Sequence, residues 1–117
     1  MPKIRVKRIH EPAAKTDGHR LLVDRLWPRG ISKDKAALDD WMKEIAPSTK
    51  LRQWFGHDPK RWDGFRRRYA AELDQQPERV AEIRNLAAKR RVTLLYSARD
   101  ADHNQAVALA EYLEGKG

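Results

Sequence analysis

Two polar stretches of the chain hold residue types that could do chemistry. Residues 24–30 read D-R-L-W-P-R-G and come directly off the apolar run Leu21-Leu22-Val23. Arg25 and Arg29 carry planar guanidinium groups, which grip phosphate or carboxylate through two parallel hydrogen bonds. Trp27 offers an apolar or stacking wall, and Gly30 permits close approach of the backbone to a ligand. The same residues also admit a structural role, in which Asp24 pairs with one arginine while Trp27-Pro28 packs beneath a sheet edge.

The second stretch, residues 97–104, reads S-A-R-D-A-D-H-N. Ser97 and Arg99 suit anion binding at the start of a helix, where backbone N–H groups lack partners. Asp100 and Asp102 work against it, because carboxylates there already satisfy the helix dipole and repel an incoming anion. His103 is close enough in sequence to reach Asp100 and form an acid–base pair of tunable pKa. Asn104 fits either a donor to substrate or a local backbone bond.

The elements that must position these loops follow from pattern. Ile4-Arg-Val-Lys-Arg8 alternates apolar and basic, as an edge or half-exposed strand does. Arg20 to Asp24 is apolar between polar ends, as expected for a strand covered on both faces. Trp27 precedes proline and is pushed away from helical geometry, so the chain leaves that strand extended. Ser32 caps a short helical turn through Ala37, and Ser48 caps a helix through Phe55. Between them, residues 39–45 fit both helical and strand spacing; we read a strand, since two paired strands alone make a poor sheet.

Asp58-Pro59 is a helix start, a cap followed by proline at the first helical position. Trp62, Phe65, Tyr69 and Leu73 then lie on one stripe of that helix and form a core face. Lys60 and Arg67 point the other way, with Arg61 and Arg68 on a flank near Glu72. A helix from Pro77 to about Arg90 packs through Val80, Ile83, Leu86 and Ala87. Val92 to Tyr96 is the clearest strand. The last helix starts at Asp102 or His103 and runs to Glu114, burying Ala106, Leu109, Ala110 and Leu113. Strands separated by helices imply an α/β fold, a single domain over residues 1–117 with a mainly parallel three- to four-stranded sheet and helices packed on its faces. In such sheets ligands bind beyond the carboxyl ends of the strands, where both polar stretches fall if their strands are parallel neighbours.

Composition sets the outer bounds. The 117 residues suffice for one domain with a real core. There are no cysteines, which removes disulfides, thiol catalysis and cysteine-based zinc sites. The four histidines show no metal-ligand spacing, and no dinucleotide, Walker or nucleophile-elbow signature points to a cofactor. The N-terminus is basic without an apolar stretch behind it, and no run is long enough to span a membrane, so a cytoplasmic protein is expected. The net charge of +8 is uneven: residues 1–10 hold four cations and no acids, and residues 50–70 hold seven cations against two acids. Such a field favours anionic partners, although solvated arginine-rich helices give the same count.

The motifs also carry a family resemblance. Residues 24–30, together with I-A-P-S at 45–48, L-R-Q-W-F at 51–55, F-x-x-R-Y at 65–69 and L-L-Y-S-A-R-D-A-D-H-N-Q-A at 94–106, resemble the bacterial YeaO-like branch of the domain of unknown function 488. The resemblance runs from Ile4 to Leu113 and implies a small cytoplasmic α/β domain, with its distinctive polar residues at 24–30, 45–55 and 97–104. The wider family has a cysteine-containing C-H-R element after the last strand. Here that stretch is Asp102-His103-Asn104, so the resemblance carries over His103 and no thiol chemistry.

Two functional expectations result. In the first, the protein is an enzyme acting on a phosphate-bearing substrate, a nucleotide or nucleic acid. Arg25, Arg29 and Arg99 hold the anion, Trp27, Gly30, Ser97 and Asn104 complete the pocket, and His103 and Asp100 exchange protons. In the second, it is a non-catalytic nucleic-acid-binding or regulatory module using the basic surface of Lys60, Arg61, Arg67 and Arg68. A rim that recognises an acidic protein surface is a third.

Overall fold

The unbroken burial of Val92–Tyr96 has a topological cause. A computed structural model describes residues 4–115 and places this strand inside a four-stranded parallel sheet. The strands are β1 (Ile4–Arg8), β2 (His19–Leu22), β3 (Asp40–Trp41) and β4 (Val92–Tyr96), in the order β1-β4-β2-β3. β4 pairs with β1 from Ile4↔Val92 to Arg8↔Tyr96 and with β2 from His19↔Val92 to Leu22↔Leu95. A strand paired on both sides and covered on both faces is buried throughout and mostly apolar, and its one small hydroxyl, Thr93, donates to Asp17 O at 2.6 Å. Lys3, one of the N-terminal cations, lies outside the described residues.

Period-two alternation divides the core in two. Leu21, Val23, Val92, Leu94 and Tyr96 face a large cluster, while Leu22 and Leu95 face a small one with Ile9 and Ala36. The large cluster is roofed by α2 (Thr49–Phe55), α3 (Trp62–Asp74), α4 (Pro77–Lys89) and α5 (Gln105–Leu113). Among the described residues the opposite face has only α1 (Lys33–Ala36) and the loop residues Trp27, Ile31 and Leu38, packed beside Trp41. The helices therefore do not divide evenly between the faces. Trp27 meets Trp41 edge-on at 5.5 Å and covers sheet that a helix would otherwise cover.

Local starts follow the expected chemistry. The Ser32 hydroxyl accepts from Lys35 N–H to cap α1, and the Ser48 hydroxyl accepts from Leu51 N–H to cap α2. Asp58 caps a 3-10 turn, Pro59–Arg61, that leads into α3. Phe65, Tyr69 and Leu73 are buried, whereas Trp62 at the head of the stripe is only half-buried. Residues 39–45 divide. Asp40–Trp41 pairs with β2, and the chain then turns through a 3-10 helix at Lys43–Ile45, whose last carbonyl accepts the Tyr69 hydroxyl at 2.6 Å.

Gly18 closes the turn into β2 at φ +67°, and a Cβ there would lie 2.3 Å from the Arg91 carbonyl oxygen. That oxygen also accepts the His19 N–H at 2.9 Å, so the backbone cannot retreat without losing a ladder bond. Gly18→Ala is expected to cost about 2–3 kcal/mol in urea unfolding. Gly30→Ala, at φ +79° with open space around it, is expected to cost about 1 kcal/mol, because only the dihedral is strained. Equal losses at the two positions would show that the contact with Arg91 does not matter.

Candidate functional site

Because β2 and β4 are adjacent and parallel, the two polar stretches leave the sheet side by side. Val23 N–H still bonds Leu95 O at 3.1 Å, and one residue later Asp24 faces Ser97. The Asp24 carboxylate accepts the Ser97 N–H at 3.1 Å and the Ser97 hydroxyl at 2.6 Å, and it also accepts the Gln105 side-chain amide. Its own carbonyl is held by the Trp41 indole N–H at 2.7 Å. Asp24 does not pair with either neighbouring arginine. Burial pushes its carboxyl above the ordinary value, and the Ser97 and Gln105 donors offset this only in part.

The two arginines have different surroundings. Arg25 reaches back across the loop to the carbonyls of Ala46 (3.1 Å) and Pro47 (3.3 Å), satisfying backbone acceptors where the 3-10 turn ends. Arg29 is exposed, and its side chain makes no hydrogen bond or ion pair with any described residue. Only its carbonyl is engaged, 2.8 Å from His10 Nε2. The Trp27 indole donates to Ile31 O at 3.0 Å, which closes the loop around Gly30.

A cavity of about 260 Å³ opens between these segments. Trp27, Pro28, Pro47, Phe55 and Phe65 give it apolar walls, and Arg25, Arg29, Arg52 and His57 supply cations or proton-bearing nitrogen. Among the described residues Asp24 is its single acidic lining residue, beside Ser97, Asn104 and Gln105. It adjoins a wider cleft of about 640 Å³ lined by Arg8, His10, Arg29, His57, Ser97, Arg99 and Asp100. Arg29 and His57 therefore border both spaces.

Arg52 and His57 are brought here by α2 and its exit. Gly56 (φ +53°) and His57 (φ +57°) are consecutive left-handed residues that turn the chain off the helix. A histidine in that conformation is uncommon and carries strain, a feature that concentrates at ligand sites. Neither the Arg52 nor the His57 side chain hydrogen-bonds a described residue.

The second loop organises itself locally. Asp100 Oδ1 accepts the Asp102 N–H at 2.9 Å and the His103 N–H at 3.1 Å, and Oδ2 lies 2.9 Å from His103 Nδ1. The Asp102 N–H and His103 together hold the Asp100 carboxyl below its ordinary value. The expected acid–base pair is thus formed, but His103 lines neither cavity and sits edge-on to Trp62 at 5.3 Å. α5 begins later than expected, at Gln105, and its cap is Asn104 rather than an aspartate. Asn104 Oδ1 accepts Val107 N–H at 3.1 Å and Nδ2 donates to Asp100 O at 2.9 Å. Arg99 is exposed at the cleft.

The basic surface on α3 is partly tied down. Arg61 and Arg68 lie over the Trp54 ring at 5.3 and 4.0 Å, and Arg61 also donates to the Trp54 carbonyl. Trp54 itself rests against α3, where a Cβ on Gly64 would come within 2.8 Å of it. Glu72 bonds the Ser48 N–H and hydroxyl instead of the arginines. Lys60 and Arg67 are exposed.

Sequence reasoning missed Arg52, His57, Phe55 and Gln105 as lining residues, and the structural alternative it held open, Asp24 paired with an arginine, does not form, since Asp24 bonds Ser97 and Gln105. The signal at Asp24 was a carboxylate ending an apolar run without a break. Arg52 falls in the 45–55 stretch that the family resemblance marks without assigning it a role, and His57 gave no signal beyond the Gly56-His57 helix exit. Among the described residues no group of three His, Cys, Asp or Glu is placed to hold a metal ion, and no helix is long and apolar enough to cross a membrane.

A family model described as "Inactive DUF488-N3 subclade" matches residues 3–116. The uncharacterized protein YeaO of Escherichia coli (strain K12) is 47% identical over 110 residues, covering 94% of this chain and 96% of its own. The uncharacterized protein Rv3073c of Mycobacterium tuberculosis (strain ATCC 25618 / H37Rv) and the uncharacterized protein Mb3100c of Mycobacterium bovis (strain ATCC BAA-935 / AF2122/97) are each 40% identical over 114 residues, covering 97% of this chain and 96% of theirs. No solved structure matches. With one family model spanning nearly all of the sequence and relatives aligned end to end, the chain belongs to the YeaO-like branch of the domain of unknown function 488.

Proposed function

We propose that this protein is a cytoplasmic binding module for a phosphate-bearing ligand of nucleotide type, which it holds at the β2/β4 rim without turning it over. The observation that carries this reading is the placement of Arg29, Arg52 and His57, whose side chains hydrogen-bond no described residue, around an apolar-walled cavity. Guanidinium groups with no side-chain hydrogen bond to a described residue, beside aromatic walls, suit a ligand with an anionic end and a flat organic part. Arg29 and His57 border both the cavity and the cleft, so a phosphate at their position leaves the organic part inside and further phosphates along Arg8 and Arg99.

Two observations favour binding over catalysis. His103, the one histidine paired with a carboxylate among the described residues, is turned to Trp62 and lines neither space. The matching family model is described as an inactive subclade. The basic face of α3 supports a nucleic-acid surface less well, since two of its four cations pack on Trp54.

Calorimetric titration with AMP, ADP and ATP tests the reading. Wild-type protein is expected to bind at about 50 mM salt and to weaken as salt rises. A hydrogen bond to a charged group contributes about 1.5–3 kcal/mol, so Arg29→Ala and Arg52→Ala should each weaken binding about tenfold or more. Phosphorus NMR of the mixture is expected to show unchanged nucleotide after prolonged incubation. Absence of binding, or indifference to both substitutions, overturns the site; protein-dependent product overturns the claim of no turnover.

A further inference from the structure

We infer that Asp24 is the specificity determinant of the rim cavity, accepting a hydrogen bond from the organic part of a nucleoside phosphate and keeping bare phosphate out. The inference rests on the reading of this cavity as a phosphate-ester site. It goes further by assigning which part of the ligand enters.

Among the described residues Asp24 is the only acidic residue lining the cavity, and it is 9% exposed. Its described hydrogen-bond partners are neutral: two donors from Ser97 on Oδ2 and one from Gln105 on Oδ1. An ionised carboxylate accepts about four hydrogen bonds, which leaves a further acceptor position on Oδ1. The chain's other buried aspartate, Asp17, is saturated by Lys7, Arg20 and the Ala14 N–H. A buried acceptor on a cavity wall gains most from an N–H or O–H donor of the ligand.

The position is fixed before any ligand arrives. The Trp41 indole holds the Asp24 carbonyl and the Ser97 N–H holds its carboxylate. Arg25, the adjacent cation, is turned to Ala46 and Pro47, and Arg52 acts on the Asp24 charge without a hydrogen bond to it, so no cation is in contact with the carboxylate among the described residues. A phosphate pushed into the cavity would meet this negative charge at short range in a poorly solvated space, which is repulsive. The same phosphate at Arg29 and His57 would not. Aromatic walls with one carboxylate acceptor fit a base or ribose bearing a donor, and they orient the ligand with its phosphate outward.

The test compares AMP, ribose 5-phosphate and inorganic phosphate on wild-type protein, Asp24→Asn and Arg29→Ala by calorimetry. Asparagine is nearly isosteric: its oxygen keeps the Ser97 donors, while the Gln105 amide turns to offer its own oxygen to the new NH₂. Far-UV circular dichroism and Tm should therefore stay close to wild type. Wild-type protein should prefer AMP over inorganic phosphate by about tenfold or more. In Asp24→Asn, AMP should weaken about tenfold while inorganic phosphate binds equally or more tightly, so the preference collapses. If Asp24→Asn leaves the preference unchanged while Arg29→Ala weakens both ligands, the phosphate site stands and this inference falls. If Arg29→Ala and Arg52→Ala leave all three ligands unchanged, the phosphate site falls and takes the inference with it. Equal wild-type affinities for AMP and inorganic phosphate overturn the inference without any variant.

Discussion

Replacing Arg20 by methionine is expected to destabilise the fold by about 3–5 kcal/mol, read as the shift in urea midpoint at pH 7. Arg20 sits on β2 with 4% exposure, on the same face as Leu22, where a charged side chain needs full compensation. It has that compensation. Nη1 donates to Asp17 at 2.5 Å, Nη2 to Ala36 O at 2.7 Å, and Nε to Ala36 O and Ala37 O, each at 3.1 Å. The last two carbonyls end α1, which otherwise leaves them unpaired, and a cation there also complements the helix dipole. Methionine fills the space but leaves the Ala36 carbonyl buried without its donors, and Asp17 with Lys7 at 3.1 Å as its remaining cation beside the Ala14 N–H.

Acid should shrink that penalty. Burial by itself would raise the Asp17 carboxyl, but the Ala14 N–H, Lys7 and Arg20 outweigh it and hold it below its ordinary 3.8. A lowered folded pKa gives stability that is present above the ordinary value and lost as pH falls through the folded one. Without Arg20, Asp17 protonates at higher pH, so wild-type and variant curves should converge below about pH 4. In a double variant with Asp17→Asn, the loss should be smaller than the sum of the two single losses. A variant as stable as wild type at pH 7 would show that the network contributes nothing.

How far the sequence reveals this molecule depends on the distance over which each interaction acts. Ser48 as a cap, Asp58-Pro59 as a start and Val92–Tyr96 as a strand are local chemistry, and all are legible within a few residues. Residues 39–45 resist because the chain does two things there: Asp40–Trp41 completes a sheet edge and Lys43–Ile45 turns to meet Tyr69. The short strand is held by β2, which no local pattern records. The rim is legible for a different reason. Two strand-loop stretches on parallel neighbours must emerge together, so the meeting of 24–30 with 97–104 follows from topology. The partner of Asp24 does not follow from it, since Ser97 and Gln105 are 73 and 81 positions away. Arginines one and five positions off in the sequence look like better partners until the fold turns Arg25 toward Ala46.

Phe65→Ala is the substitution expected to act on fold and site together. Phe65 is 2% exposed and lies in a run of rings, 4.5 Å from Phe55 and 5.7 Å from both Trp62 and Tyr69. It is also a wall of the rim cavity. Truncation removes the stacking partner of Phe55 and joins the vacated volume to the cavity, so a loss of about 3–5 kcal/mol in urea unfolding is expected. Phe65→Leu, which retains most of the volume, should lose less. The ligand then separates the two consequences. A ligand bound only by the folded state stabilises it by about 2.7 kcal/mol at a hundredfold excess over Kd. Saturating AMP should recover that amount in wild-type protein and in Phe65→Leu. It should recover much less in Phe65→Ala, whose wall is gone, and in Arg29→Ala, whose core is intact. Full recovery in Phe65→Ala would show that the aromatic wall does not contact the ligand, and would move the organic part of the ligand out of the cavity into the open cleft.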